Sequence, residues 1–154
     1  MASYVTTTEA DEYFGARLRI EAWEEASPEE RETALEMATR MIDAQRLVGR
    51  RAEEDQELAF PRKTMTKTGW WSSEEVPQDI KDACCEQALF LLELTPYERR
   101  RMRQHELGVV SQQIGEVTER SSAALVMYNQ QNMKMCKEAM QLLKPYIVGK
   151  VRIT

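Results

Sequence analysis

The sequence predicts a mainly α-helical protein: a bundle of about five helices with a small β-hairpin and an extended C-terminal tail. Three observations support this fold class. Glycine and proline are scarce, at 6 and 5 in 154 residues, as expected for long helices joined by few turns. Aromatic residues make up only 7% of the chain, which disfavours a sheet-rich sandwich. Apolar residues also recur at helical spacing in several stretches.

The most hydrophobic helix is predicted to begin at Pro77 and to lie at the centre of the bundle. Proline suits a first helical position because the amide there has no partner within the helix. Ile80, Cys84, Ala88 and Leu91 follow at spacings of four, four and three residues, which is one helical face. Further apolar residues widen that face, so this helix should have neighbours on more than one side.

Three start signals place the other helices. Thr6, Ser27 and Thr95 are each followed three positions later by glutamate, the spacing of a capping box. They predict helices from about 7 to 18, from 28 to about 47 with Gly49 as a left-handed C-cap, and from 96 to about 107. Apolar residues at helical spacing predict a last helix over 132–144. Residues 63–75 are predicted to form a polar loop.

The C-terminal third is predicted to hold the β-structure. Residues 109–120 show a weak alternation through Val110, Gln112 and Ile114, with Glu116 on the return, which favours a β-hairpin. Val151 and Ile153 alternate with polar residues, the period of a strand. We therefore divide the chain into a single helical domain, 1–148, and an extended tail, 149–154.

No catalytic, cofactor or metal site is predicted. His105 is the only histidine and lies in a charged run, where a surface position is expected. Cys84, Cys85 and Cys136 lack the spacing of a zinc site and are interpreted as small buried residues. The net charge of −5 argues against general affinity for a phosphate backbone. We therefore expect a non-enzyme without cofactors and without a membrane span.

Trp70 and Trp71 are the one feature that composition does not explain. Adjacent tryptophans in a polar stretch can cover the edge of the core, form a protein interface, or stack on single-stranded bases. Lys63, Lys67 and Arg62 nearby favour the last interpretation, whereas the acidic pair 74–75 disfavours it. All three interpretations stay open at this point.

Several motifs together resemble one family. Their order and spacing span nearly the whole chain: Tyr4-Val5-Thr6 with Glu9-Ala10 and Tyr13-Phe14, Trp23, Ala34-Leu35 with Ala38-Thr39 and Ile42-Asp43, Val48-Gly49-Arg50, Leu58-Ala59-Phe60-Pro61-Arg62, Val76-Pro77 with Ile80-Lys81 and Ala83, and Leu142-Leu143-Lys144-Pro145-Tyr146. This pattern resembles the head completion, or head–tail connector (adaptor), proteins of tailed bacteriophages. Similar sequences are also labelled DnaT-like single-stranded DNA-binding proteins, so the resemblance itself supplies an alternative function.

The resemblance implies a structural protein of the phage neck. Its copies would form a ring under the portal, expected to be a dodecamer in the virion, that extends the DNA channel and docks the stopper or tail-completion protein. Genome DNA would pass through without sequence-specific binding. The protein would be in the virion neck, and in the host cytoplasm during assembly. The free protein is expected to be a monomer or a weak oligomer, because no strongly apolar surface stripe is left once the core faces are assigned.

The same resemblance suggests roles for three groups of residues. The tail would bind the portal by strand addition, although a frayed terminus is the plain alternative; its residues are Lys150, Val151, Arg152, Ile153 and Thr154. Contacts with subunits or other neighbours would come from Trp70, Trp71, Val110, Gln112, Ile114 and Glu116. The candidate DNA-facing residues are Arg99, Arg100 and Arg103.

Overall fold

The computed structural model describes residues 2–66, 69–72, 75–109, 111–114, 117–120, 122–124, 126–127 and 135–148. The helices with described bounds are α1 (Thr7–Phe14), α2 (Glu21–Glu25), α3 (Pro28–Asp43), α4 (Gln78–Glu93), α5 (Pro96–Glu106) and α6 (Lys137–Leu143), with a 3-10 turn at Lys144–Tyr146. The strands are β1 (Arg50–Arg51), β2 (Arg62–Thr66), β3 (Gly69–Ser72), β4 (Ser111–Ile114) and β5 (Val117–Arg120). The predicted mainly α fold is confirmed.

The predicted hairpin over 109–120 is also confirmed. Strands β4 and β5 pair antiparallel, with Ile114 opposite Val117 and Ser111 opposite Arg120. The boundary between a domain and a tail at 148 stays a prediction, because residues 149–154 lie outside the described part of the chain.

Helix α4 is the centre of the packing, as predicted. It contacts α1, α2, α3 and α6, and Ile80, Cys84 and Ala88 on its predicted face are fully buried. Burial extends around the helix to Ala83, Gln87 and Leu89, which fits a helix with neighbours on several sides. The helix begins at Gln78, one residue later than predicted, with Pro77 as its N-cap.

All three predicted capping boxes form. Thr6, Ser27 and Thr95 each accept a hydrogen bond from the amide of the glutamate three residues on, and that glutamate accepts one from the cap amide. The starts of α1, α3 and α5 are therefore fixed by contacts within four consecutive residues.

The predicted ends of α1 and α3 are wrong. Helix α1 ends at Phe14 rather than near 18, and Leu18 is 85% exposed. The chain turns there, with Arg19 at φ 61°, and brings the Trp23 ring to 4.8 Å from the Phe14 ring. Packing of these two aromatic rings therefore ends the helix early.

Helix α3 ends at Asp43 rather than near 47. Leu35 and Thr39 are buried, whereas Met37 is 40% exposed. Gly49 has the predicted positive φ, 75°, but it leads into β1 instead of capping the helix. A Cβ at this position would lie 2.1 Å from the Lys63 carbonyl oxygen, so close approach to β2 also demands glycine.

The predicted polar loop at 63–75 is wrong, because its described residues form a sheet. Strand β2 lies between β1 and β3, and its antiparallel register puts Thr64 opposite Trp71 and Met65 opposite Trp70. Threonine and tryptophan favour strands, and this propensity prevails over the polar composition of the segment.

The last helix is shorter than predicted within the described residues. Helix α6 begins at Lys137, and Cys136 is its N-cap. The Cys136 amide donates a hydrogen bond to the Gln87 side-chain oxygen at 2.8 Å, which holds Cys136 in extended conformation. The predicted start of this helix at 132 lies outside the described residues.

Phe60 should be among the most important residues for stability. It is 3% exposed, so Phe60→Ala should lower the free energy of unfolding by about 3–5 kcal/mol through lost burial and a residual cavity. Urea unfolding measures this loss. Leu18→Ala, at an exposed leucine, is the control and should change stability by less than about 0.5 kcal/mol. A loss below about 1 kcal/mol for Phe60→Ala would contradict its placement in the core.

Candidate functional site

The C-terminal segment leaves the core as an extended chain. Ile147 forms an antiparallel bridge with Leu47. The amide of Val48 donates to the Tyr146 carbonyl, and the amide of Val148 donates to the Arg46 carbonyl, both at 2.8 Å. We call these paired residues, 46–48 and 146–148, the C-terminal exit, since the predicted portal-binding tail continues directly from it. The tail residues themselves, 150–154, lie outside the described residues.

The Phe60 ring packs against the C-terminal exit. Its ring centroid lies 5.7 Å from that of Tyr146 and 6.1 Å from that of Tyr4, in edge-to-face geometry in both cases. Such aromatic pairs add directional stabilisation to their burial. The motif that carries the family resemblance therefore packs directly against the segment that leads to the tail.

Arg62 connects this motif to the other side of the exit. Its guanidinium donates to the carbonyl oxygens of Val48 at 2.8 Å, Gly49 at 2.7 Å and Ala59 at 3.2 Å. Burial lowers the pKa of Arg62 from its ordinary value. Arg62 is one of the basic residues near the tryptophans that favour DNA binding in the sequence, but its donors are occupied by backbone carbonyls.

A buried polar network joins the N-terminal segment to the same region. The Tyr4 hydroxyl donates to the Asp43 carboxylate and accepts a hydrogen bond from the Phe60 amide at 3.2 Å. The second carboxylate oxygen of Asp43 accepts from the Ala59 amide at 3.2 Å. Burial and the neighbouring carboxylate raise the pKa of Tyr4 well above its ordinary value, so its hydroxyl keeps its proton. The members of this network are far apart in sequence, so no local spacing predicts it.

Helix α5 carries an exposed basic surface. Arg99, Arg100 and Arg103 are exposed, and we call these three residues the arginine face. Leu107 follows at the end of the helix and is 78% exposed. The guanidinium of Arg100 lies 5.7 Å from the centroid of the Tyr97 ring, and Tyr97 is itself 45% exposed. The structure thus brings the three predicted DNA-facing residues together beside an aromatic ring.

The prediction that His105 lies on the surface is wrong. It is 4% exposed and lines a cleft together with residues of α4 and of the start of α6. Burial lowers the pKa of His105, and the charge of Arg101 lowers it further. Both effects favour the neutral imidazole, which borders a cleft.

That cleft lies between α4, α5 and the start of α6 and has a volume of about 670 Å³. Its lining includes Glu86, Phe90, Met102, His105 and Met135. Glu86 accepts a hydrogen bond from the Tyr13 hydroxyl at 2.6 Å and forms an ion pair with Arg17 at 2.8 Å. Both contacts use the Oε1 oxygen of Glu86 and link α4 to α1 and to the segment that follows it.

The cysteines are buried, as predicted, and they are free thiols. Burial raises the pKa of Cys84 to about 11, and it raises those of Cys85 and Cys136 as well. Such thiols are poor nucleophiles at neutral pH because the reactive thiolate is scarce. Within the part of the chain that the structure describes, no three His, Cys, Asp or Glu side chains could hold a metal ion.

The predicted neighbour contacts fall on two separate sheets. Trp70 and Trp71 lie in β3, whereas Gln112 and Ile114 lie in β4. Val110 and Glu116 lie outside the described residues. For Trp70, Trp71, Gln112 and Ile114, the structure describes the backbone and not the side chains. The structure therefore gives these residues a backbone position, and their part in contacts stays a prediction.

A protein family matches the chain over its whole length. The family model described as "Putative DnaT-like ssDNA binding protein" matches residues 1–154. The chain belongs to this family. No curated protein and no solved structure shows a significant match to the chain. Within the described residues, no helix is long and apolar enough to cross a membrane.

The lowered pKa of His105 makes stability depend on pH in a defined direction. As the pH falls below about 6.5, the ordinary histidine value, the unfolded chain takes up this proton before the folded one does. Stability should therefore decrease as the pH falls from 7 towards about 5.5. The variant His105→Gln cannot titrate there, so its unfolding midpoint in urea should change less over this range. Equal changes in the wild type and the variant would contradict the shift.

Proposed function

We propose that this chain is a structural head–tail adaptor of a tailed phage. Its copies form a ring, a dodecamer in the virion, under the portal; the ring extends the DNA channel and docks the stopper or tail-completion protein. The role needs no catalytic centre and no cofactor. The protein acts in the virion neck and is in the host cytoplasm during assembly.

The observation that carries this proposal is the geometry of the C-terminal exit. The backbone at Ile147 and Val148 is already extended and paired with residues 46–48. In a strand that continued from this point, Val151 and Ile153 would face one side and Lys150 and Arg152 the other. Such a strand can add to the edge of a sheet in another protein, and the portal is the partner that the family resemblance supplies.

The rigid support of the exit strengthens this proposal. A docking strand binds better when its base is fixed, because less conformational entropy is lost on binding. Phe60 and Arg62 hold both sides of the exit through the ring contact with Tyr146 and the hydrogen bonds to the carbonyls of Val48 and Gly49. The motif that resembles the adaptor family is thus the part of the chain that would anchor the tail.

A second candidate function is single-stranded DNA binding. The description of the family names it, and the arginine face beside Tyr97 is the surface that favours it. Single-strand binders combine arginines that meet phosphates with aromatic rings that stack on bases. The net charge of −5 opposes this function, since the basic surface is local.

Deletion of the tail tests the adaptor function. Removal of residues 150–154 should leave the urea unfolding midpoint unchanged and abolish attachment to portal-bearing heads, because the docking strand is gone. Attachment is measured by co-sedimentation with purified heads. The matched variant Lys150→Ala/Arg152→Ala keeps the apolar residues and should retain partial attachment. If heads recruit the truncated protein at wild-type levels, the tail hypothesis fails and the hairpin at 109–120 becomes the next candidate contact.

Oligonucleotide binding separates the two functions. As an adaptor, the protein should bind labelled oligo-dT weakly in fluorescence anisotropy at physiological salt. A DNA-binding protein that uses the three arginines would instead lose about 20-fold in affinity between about 50 and 200 mM salt, the loss expected for three phosphate contacts to a single strand. Arg99→Gln/Arg100→Gln/Arg103→Gln would abolish that dependence. Tight, salt-sensitive binding of this kind would favour the second function.

A further inference from the structure

An acidic concavity lies on the surface formed by α2, the start of α3 and the end of α4. It has a volume of about 500 Å³, and we call it the acidic pocket. Four carboxylates line it, together with small apolar residues: Glu21, Glu25, Glu30 and Glu93, with Ala22, Ala26 and Leu92. Burial raises the pKa of Glu93, and Glu86 and Glu21 are among the carboxylates that raise it further.

An apolar groove continues from the acidic pocket. The two share Glu30 and Leu92, and the groove adds about 350 Å³. Its floor is formed by Ala34, Met37, Leu91 and Leu94, with Glu29 and Arg99 also in the lining. We call it the Met37 groove, because this side chain is apolar and 40% exposed.

The Met37 groove has one cation in its lining, Arg99, whereas the lining of the acidic pocket has none. Arg31 follows Glu29 and Glu30 in sequence, but its guanidinium donates to the carbonyls of Trp23 at 2.8 Å and Glu24 at 3.0 Å. The same group lies over the Trp23 ring at 5.3 Å. Arg31 is thus committed to the core side, while Glu21, Glu25 and Glu29 are exposed.

The complementary surface is on the same chain. The arginine face presents three cations along α5, with the exposed Leu107 in line with them one to two turns further on. Residues four apart lie on the same side of a helix, so Glu21 and Glu25 share one side of α2, whereas Glu29 belongs to the start of α3. A helix with cations along it and an apolar end matches an acidic pocket that continues into an apolar groove.

We propose that the arginine face of one copy docks on the acidic pocket and Met37 groove of a second copy. Arg100 and Arg103 meet the carboxylates, and Leu107 covers Met37. The contact joins two different surfaces, which adjoin at Arg99 on the same chain, so Arg100 and Arg103 are the arginines that it uses. Such a heterologous contact closes into a ring where the rotation between copies permits. The inference rests on the proposed ring and names the surfaces that build it.

A second copy is favoured over DNA as the partner of the arginine face. Phosphates would explain the arginines alone, whereas a second copy also explains the acidic pocket, the adjoining apolar groove and the exposed Leu107. Electrostatic complementarity across an interface gives specificity and register. It also makes the contact salt-sensitive, because exposed charges are screened beyond about 3 Å at 1 M salt and about 10 Å at 0.1 M.

Two variants test the contact. The arginine variant, Arg100→Gln/Arg103→Gln, leaves Arg99 in place because that residue also borders the groove. The acid variant, Glu21→Gln/Glu25→Gln, removes two carboxylates from the pocket. The control Arg40→Gln/Lys144→Gln loses the same two positive charges as the arginine variant, but at exposed residues outside both surfaces. Circular dichroism and urea unfolding establish that all three variants fold.

Sedimentation velocity at about 50 mM salt gives the readout. The wild type and the control should associate weakly with rising concentration, and each of the two variants should associate about tenfold more weakly, since two exposed charge pairs are lost. An equimolar mixture of the arginine variant and the acid variant should form a dimer that grows no further, because each supplies one intact surface. About 0.5 M salt should dissociate all of these species.

Three outcomes would overturn the proposal: a wild type that stays monomeric at low salt, a variant that associates like the wild type, or a mixture that does not form the dimer. Loss of oligo-dT binding in the arginine variant, with self-association unchanged, would identify DNA as the partner instead. If the copies associate as expected and still fail to attach to portal-bearing heads, the contact stands and the adaptor function fails.

Discussion

The C-terminal exit depends on the hydrogen bonds that the Asp43 carboxylate accepts. Its two oxygens accept from the Tyr4 hydroxyl and the Ala59 amide, and the Tyr4 hydroxyl in turn accepts from the Phe60 amide. Buried polar groups need partners, so these bonds fix the N-terminal segment, the end of α3 and the segment before β2 relative to one another. The Phe60 ring is thereby set against Tyr146, where the chain leaves the core.

A second buried polar group, on α4, fixes the start of the C-terminal segment. Gln87 is fully buried, and its side-chain oxygen accepts from the Cys136 amide at 2.8 Å. This bond sets the residue at which α6 begins. The central helix thus contributes more than apolar surface, because one amide side chain fixes the register of a partner helix that packs along it. The C-terminal segment is consequently held at both of its ends, by Gln87 and by Phe60.

What the sequence predicts well is local, and what it misses depends on distant partners. The capping boxes at Thr6, Ser27 and Thr95 form within four residues, so their spacing is enough to predict the helix starts. The ends of α1 and α3 depend on Trp23 and Asp43 meeting residues elsewhere in the chain, which no local spacing records. The burial of His105 has the same character. The pairing of β2 with β3 is local, with Thr66 opposite Gly69, and the polar composition of the segment hides its strand propensity. In the candidate surfaces, the arginine run is visible in sequence, whereas the acidic pocket needs three helices to come together.

Pairing the arginine face of one copy with the acidic pocket of the next resolves an apparent conflict in the proposed function. A ring around a DNA channel must hold its subunits together and must not grip the DNA that passes, yet arginines exposed to the channel would bind phosphates strongly. Arginines placed against the carboxylates of the next copy satisfy both requirements, since the charges that bind the neighbour are no longer offered to DNA. The chain has a net charge of −5, so a ring in which these pairs neutralise each other keeps an excess of negative charge. In the proposed assembly, the surface that favours DNA binding in the isolated chain is therefore covered when the ring forms.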